Sequence, residues 1–343
     1  MINQRRTVVL LAVAVAVIAG AMLLASQRNR GPGTLAGQTV LPGLRDALND
    51  VTELRIARGD GTHVTVRKRD SDWVVVERDF PADPGKVRKL LLDMASLSVV
   101  EEKTSDPASY ARIGVEDVTS ATSGGTRIEA VTPKKTFGLI AGDPSGTKNS
   151  YVREAGAKTS YLATPQIRTD ADPKRWLDRT IVDIPQDRVK EIALKPAKGR
   201  AYTVSREKKE QTDFTVSDIP KGMELTSASA PNSIASELMS LTLDDVRKAP
   251  TDKPAKPEAS TTFRTFDGLE LQFDGLKDGD RHYIAVTARS TAKDSEAEAQ
   301  KLDARFKGWQ FEIPGYKYDL LFRPQEELLV KSEPEKKKSK PAT

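Results

Sequence analysis

From Thr7 to Ser26 the chain runs for 20 residues, TVVLLAVAVAVIAGAMLLAS, without a charge. As a helix rising 1.5 Å per residue, such a run covers about 30 Å, the thickness of the hydrocarbon layer of a bilayer. Any globular fold must therefore be organised behind it, from residue 27 onward. The six residues ahead, MINQRR, are basic and favour a cytoplasmic N-terminus with export of everything after residue 26, although Arg28 and Arg30 on the far side weaken that bias. A cleaved signal peptide is the competing reading, because the apolar run Val8 to Ile18 is followed by Ala19-Gly20-Ala21, a small-x-small site. Met22-Leu23-Leu24 carries the apolar run past that site, which favours a retained transmembrane anchor over residues 1–26. Both readings export the body.

Charge and cysteine content remove several classes of function. The chain of 343 residues has a net charge of +5, but residues 1–30 carry +4 and residues 331–343 carry +3, so the body between them is slightly acidic. A body of that sign sets up no field that would gather phosphates, which argues against nucleic acid as a partner. With no Cys there is no disulfide framework, Cys-ligated zinc, iron–sulfur cluster, thiol nucleophile or lipoprotein anchor, and two His cannot form a three-His site.

The exported part reads as α+β: two β-rich lobes, each an antiparallel sheet with a packed helix, behind one N-terminal transmembrane helix. Residues 27–44, rich in Gly, Pro and polar residues, read as a stalk. In the first lobe, 45–165, the runs 52–58, 62–69 and 72–77 read as strands separated by Gly59-Asp60-Gly61 and Asp70-Ser71. Asp83-Pro84 then marks an N-cap and a first helical residue, with Val87, Leu90, Leu91 and Met94 at helical spacing. A meander follows over 127–163 with a turn at Gly142 to Gly146.

A connector over 166–188 leads to the second lobe, 189–325. Its runs 189–194, 201–206 and 214–216 read as strands and Ile234, Leu238 and Leu241 as a helix stripe, repeating the order of the first lobe. Met94 to Val99 aligns with Leu238 to Leu243 at an offset of 144, which points to an internal repeat. A meander over 261–287, a helix near 294–306 and strands near Trp309 and Tyr316 complete it. The Pro/Lys stretch 250–257 is a loop inside this lobe, and 326–343 reads as a disordered Lys-rich tail.

No catalytic, cofactor-binding or metal-binding residue is expected. His63 lies on the strand face opposite Val64 and Val66, and His282 begins a strand beside Arg281; no carboxylate or nucleophile pattern frames either. Asp274 to Asp280 has spaced aspartates, but Leu276 at position three and Ala285 at position twelve of a calcium loop favour a hairpin. Gly142 to Lys148 misses the glycine spacing of a phosphate loop and reads as a turn. Trp73, Trp176 and Trp309 offer surfaces for stacking on sugar rings, yet the apolar residues around Trp73 favour core packing.

One segment carries a resemblance. Glu101-Glu102-Lys103-Thr104, Pro107, Tyr110 and Gly114-Val115-Glu116-Asp117, with Leu41-Pro42-Gly43-Leu44, Trp73 and Trp176-Leu177-Asp178-Arg179 around them, resemble the bacterial family known as domain of unknown function 4340. The resemblance implies a protein anchored in the bacterial inner membrane, with its C-terminal domain in the periplasm, often encoded near ABC-type transporter components of the gliding-motility kind. It brings no established activity and no catalytic residues. The expected function is a non-enzymatic accessory or scaffold protein with membrane-protein partners. The alternatives are a periplasmic glycan-binding module, which aromatic residues lining a groove would favour, and an unrecognised hydrolase, which a buried Ser-Lys or carboxylate pair in a cleft would favour.

Overall fold

The computed structural model describes residues 35–250 and 256–332, so the 7–26 segment, the middle of the Pro/Lys loop and residues 333–343 lie outside the described residues. Among the described residues no helix is long and apolar enough to cross a membrane. The chain divides into two compact units between Trp176 and Leu177. Both are dominated by antiparallel sheet with few helices, an α+β architecture.

Unit 1 contains β1 (Glu53–Arg58), β2 (His63–Arg69), β3 (Asp72–Val75), β4 (Phe80–Pro81), α1 (Pro84–Ser96), β5 (Ser98–Glu102), β6 (Thr126–Val131), β7 (Thr136–Ser145), β8 (Asn149–Glu154) and β9 (Ser160–Thr164). They form one nine-stranded sheet in the order β4-β3-β2-β1-β6-β7-β8-β9-β5. One face is apolar: Leu54 and Ile56 pair with Ala130 and Ile128, and Ile128 pairs with Leu139, all buried. Helix α1 starts where Asp83 accepts hydrogen bonds from the amides of Gly85 and Lys86, at 2.8 and 3.2 Å, with Pro84 at its first position. Its stripe Val87, Leu90, Leu91, Met94 and Ala95 is buried.

The opposite face over β2, β1 and β6 carries a charge ladder. Glu53 binds Arg55 on its own strand and Arg67 across the pair, and Glu129 lies 3.8 Å from Arg55 and 2.7 Å from Arg127. This is the in/out alternation of an antiparallel sheet with one wetter side.

Unit 2 contains β10 (Thr180–Val182), β11 (Val189–Lys195), β12 (Tyr202–Ser205), β13 (Thr215–Val216), β14 (Met223–Leu225), α2 (Asn232–Ala235), β15 (Leu241–Thr242), β16 (Asp245–Lys248), β17 (Ala259–Thr265), β18 (Leu269–Asp278), β19 (Arg281–Ser290), α3 (Glu296–Phe306), β20 (Trp309–Ile313), α4 (Gly315–Leu321) and β21 (Leu329–Lys331). Its main sheet has the order β13-β12-β11-β17-β18-β19-β20-β16. With the two-residue β4 set aside, each of these strands holds the place of its counterpart, by chain order, in unit 1.

The lead-in segments also behave alike. The amide of Val99 donates to Gln38 and that of Leu243 to Arg179, at 2.8 and 2.9 Å, as each lead-in bridges the segment after the helix.

Several sequence expectations need correction. The stalk reading of 27–44 fails at its end, because Val40, Leu41 and Leu44 are buried and Gln38 to Val40 pair with the β5 region. The helix expected through Leu241 is a single turn of α2 followed by a 3-10 turn, and Ser240, at φ +52, turns the chain into β15. Tyr316 lies in α4, started by Pro314 and Gly315, and not in a strand. The tail reading of 326–343 misses Leu328 and Leu329, which are buried as β21 pairs with β14. The turn placed at 142–146 lies at 146–148, and β7 continues through Gly142 with a bulge before Pro144.

The ladder makes stability depend on pH. Burial pushes the Glu53 carboxyl up, but hydrogen bonds from Arg67 and Arg55 outweigh it and hold the group below its ordinary value of 4.5. A folded pKa below the unfolded one gives stability that is fully present above the unfolded value and lost as pH falls through the folded value. In urea denaturation, the stability gap between wild type and Glu53→Gln should therefore be widest at neutral pH and shrink progressively below about pH 4.5.

Candidate functional site

The segment that carries the family resemblance lies on the second face of the unit 1 sheet. Asp106 caps a 3-10 helix, Pro107–Ile113, by accepting from the amide of Ala108 at 3.1 Å. Gly114 ends it at φ +66, a left-handed conformation that favours glycine, and the Val115 amide returns to the Tyr110 carbonyl. Tyr110 and Val115 then bury against Ile140 of β7, with Ile113 and Tyr151 beside them.

Arg153 of β8 organises this cluster. It is 2 % exposed, and it donates to the carbonyls of Val115 and Ala157 at 2.9 and 2.8 Å and to the Asp117 carboxylate at 2.9 Å. Its guanidinium stacks 4.6 Å above the Tyr110 ring, whose hydroxyl donates to the Lys158 carbonyl. Glu116 accepts from the Gly124 amide at 2.8 Å, while its other carboxylate oxygen is buried without a partner. The fit is close: a Cβ on Gly142 would stand 2.2 Å from the Ile113 carbonyl oxygen.

The two histidines lie in different settings. His63 is exposed, with its Nδ1 3.0 Å from the Gly61 carbonyl. His282 packs at 4.9 Å against Tyr318 of α4, whose hydroxyl donates to Glu258 at 2.8 Å, and Lys277 lies 3.4 Å from the same carboxylate. Burial, reinforced by the bond to Glu258, raises the Tyr318 pKa, so the phenol stays protonated and serves as a donor that fastens α4 to the residue just ahead of β17. Elsewhere in unit 2, Arg188 grips Asp267 and Glu298 at 2.6 and 2.7 Å, tying the β17–β18 turn to α3. The spaced aspartates near 274 sit on the continuous β18 and its hairpin turn, with Asp278 paired to Arg281. Among the described residues no group of three or more His, Asp or Glu is arranged to hold a metal ion.

Two grooves flank α1. One, of about 400 Å³, is lined by Lys86, Lys89, Asp93, Arg168, Asp170 and Arg175 above Leu90 and Trp176. Its cations are engaged: Lys86 with the Arg175 carbonyl at 2.6 Å, Lys89 with Asp93 at 2.5 Å, Arg168 with Gln166 at 2.6 Å, and Arg175 with Asp170 at 3.9 Å. Trp176 is buried and donates from its indole to the Asp170 carbonyl at 2.7 Å. The other groove, of about 520 Å³, has Trp73 in its wall. The core reading of Trp73 holds only in part, since the residue is half-buried and the adjoining Val76, past the end of β3, is 40 % exposed.

A chain of two antiparallel α+β units with a motif segment folded across one sheet is the class that these observations define. A family model described as domain of unknown function 4340 matches residues 73–260, more than half of the chain, and the protein belongs to that family. The match takes in α1, both grooves' aromatic residues and the whole Arg153 cluster. No curated protein matches the sequence.

Sequence reasoning passed over Arg153, Arg188 and Glu53. The available clue for Arg153 was a lone cation beside Tyr151 and Val152 in a strand, a position where a charge persists only if its donors are satisfied. Arg153→Ala would leave the Val115 and Ala157 carbonyls without their donor and open space beside Tyr110. It should cost about 3 kcal/mol in urea denaturation. Arg153→Lys should recover only part of that loss, because an ammonium cannot reproduce the planar fork.

Proposed function

We propose that this protein is a non-enzymatic accessory or scaffold protein, anchored in the inner membrane by residues 7–26, whose exported body engages a membrane complex of the ABC-transporter type. The observation that carries the non-catalytic part is where the family's residues are spent. Asp106 caps a helix, Tyr110 and Asp117 bind Lys158 and Arg153, and Gly114 turns the chain, so these groups are engaged in shaping a packed shell. The uncharged 20-residue run behind MINQRR supports the anchor, and the family resemblance supplies the class of partner. A tether raises the effective concentration of the body at the membrane, so modest contacts suffice for association.

We further propose that the two units are copies of one ancestral unit. The common strand order and the matched bonds from Val99 to Gln38 and from Leu243 to Arg179 support this. So does the pairing of Leu41-Pro42 with Ile184-Pro185, each just after its lead-in segment.

The test is topological and biochemical. A reporter fused after Thr343 should be active only on the exported side, and the protein should resist extraction by high salt or alkali. Exchanging residues 1–26 for a cleavable export signal should abolish co-purification with the membrane complex, while His63→Ala and His282→Ala leave the cellular phenotype unchanged. A cytoplasmic C-terminus would refute the topology. Loss of function in either folded His variant would refute the non-catalytic reading.

A further inference from the structure

The groove beside Trp73 differs from its neighbour across α1 in how its charges are balanced. Its lining includes the buried Val51, Val87 and Leu91, the half-buried Trp73 and Leu92, 51 % exposed. Lys68, cross-strand neighbour of Trp73 on β2, and Arg88 on α1 stand at its rim, both exposed. Neither has an ion-pair or side-chain hydrogen-bond partner among the described residues, and no carboxylate lines the groove. In the neighbouring groove two aspartates and two main-chain or amide acceptors already occupy the cations.

We propose that the Trp73 groove is a binding site for a small organic anion: a compact apolar body seated against Trp73 and Leu92, with its carboxylate or phosphate held by Lys68 and Arg88. Three observations converge on that class. The volume, about 520 Å³, falls in the range of small-molecule sites. An indole face and branched aliphatic side chains reward a flat or branched apolar body. Two cations without an ion-pair partner among the described residues can take an anion without first giving up an existing ion pair. A sugar is a poorer fit, since its hydroxyl donors call for carboxylate acceptors and the groove offers only Asn49 and Ser71. The site goes beyond the proposed accessory role and does not depend on tethering or on the ABC-type partner.

Titration calorimetry tests it, with the full-length chain in discs of neutral phosphatidylcholine, empty discs subtracted, and 2-naphthoate as the probe. The expected result is one site per chain whose affinity falls by at least about tenfold, the equivalent of 1.4 kcal/mol, in both Lys68→Glu and Arg88→Glu. Affinity should also fall as salt rises, because the cations are exposed. The neutral 2-naphthamide should bind far more weakly than the acid, and Leu92→Ser should weaken the acid while leaving its salt dependence intact. Both rim residues are exposed and unpaired, so their reversal should leave the urea midpoint unchanged, and that measurement accompanies each titration. Equal affinity for 2-naphthoate and 2-naphthamide would overturn the proposal. So would binding unaffected by both charge reversals in folded protein, or no binding of 2-naphthoate up to millimolar concentration.

Discussion

A wide antiparallel sheet has two faces, and a single helix covers only part of one. In unit 1 this constraint is met by three devices. Helix α1 contributes its buried stripe to the apolar core, the Glu53 ladder leaves β2, β1 and β6 a wetter surface, and the 107–117 segment lies over β7 and β8. The third device depends on Arg153. Its guanidinium supplies the Val115 and Ala157 carbonyls with directed donors and gives Tyr110 a cation to stack on. Without it the segment would keep its apolar patch and the Tyr110–Lys158 bond but lose the three directed bonds that hold Val115, Asp117 and Ala157 to β8.

Local chemistry made part of this legible in the sequence. Asp83-Pro84 and the Val87–Met94 spacing specify α1 because a cap and an amphipathic stripe are both written within a few residues. The paired turns at Gly61 and Gly279 announce hairpins in the same way. What stayed hidden is non-local. Arg153 reaches Val115 and Asp117, 38 and 36 residues away, and its burial follows from which segment covers β8, which no pattern around residue 153 records. The Glu53 ladder depends on strand register, and the groove at Trp73 depends on where α1 crosses β3. The short α2 is a different failure: Pro231 and three nearby serines weaken a helix that the apolar spacing alone would have extended.

The two units solve the same problem with unequal parts. Unit 1 has a long α1 after β4, whereas unit 2 has only the single turn of α2 after β14 and adds α3 and α4 against β19. If they descend from one unit, as proposed, helical cover has migrated along the chain while strand order stayed fixed. Strand order is costly to change because each pairing commits a whole row of backbone hydrogen bonds, whereas a helix that supplies apolar area can be replaced by another. The family match begins at Trp73, within one groove, takes in the other groove and the motif cluster, and stops at residue 260, near the start of β17.

The lead-in segment gives unit 1 a mechanical property. Gly37 donates to Val99, Val99 to Gln38 and Val40 to Leu97, at 2.8, 2.8 and 2.9 Å, immediately before the buried Leu41. Tension applied from the N-terminal side meets this short backbone seam along β5, and the buried Val40 within it, before it meets Leu41. Three backbone bonds thus stand between a pull on Gly37 and the packed side chain of Leu41.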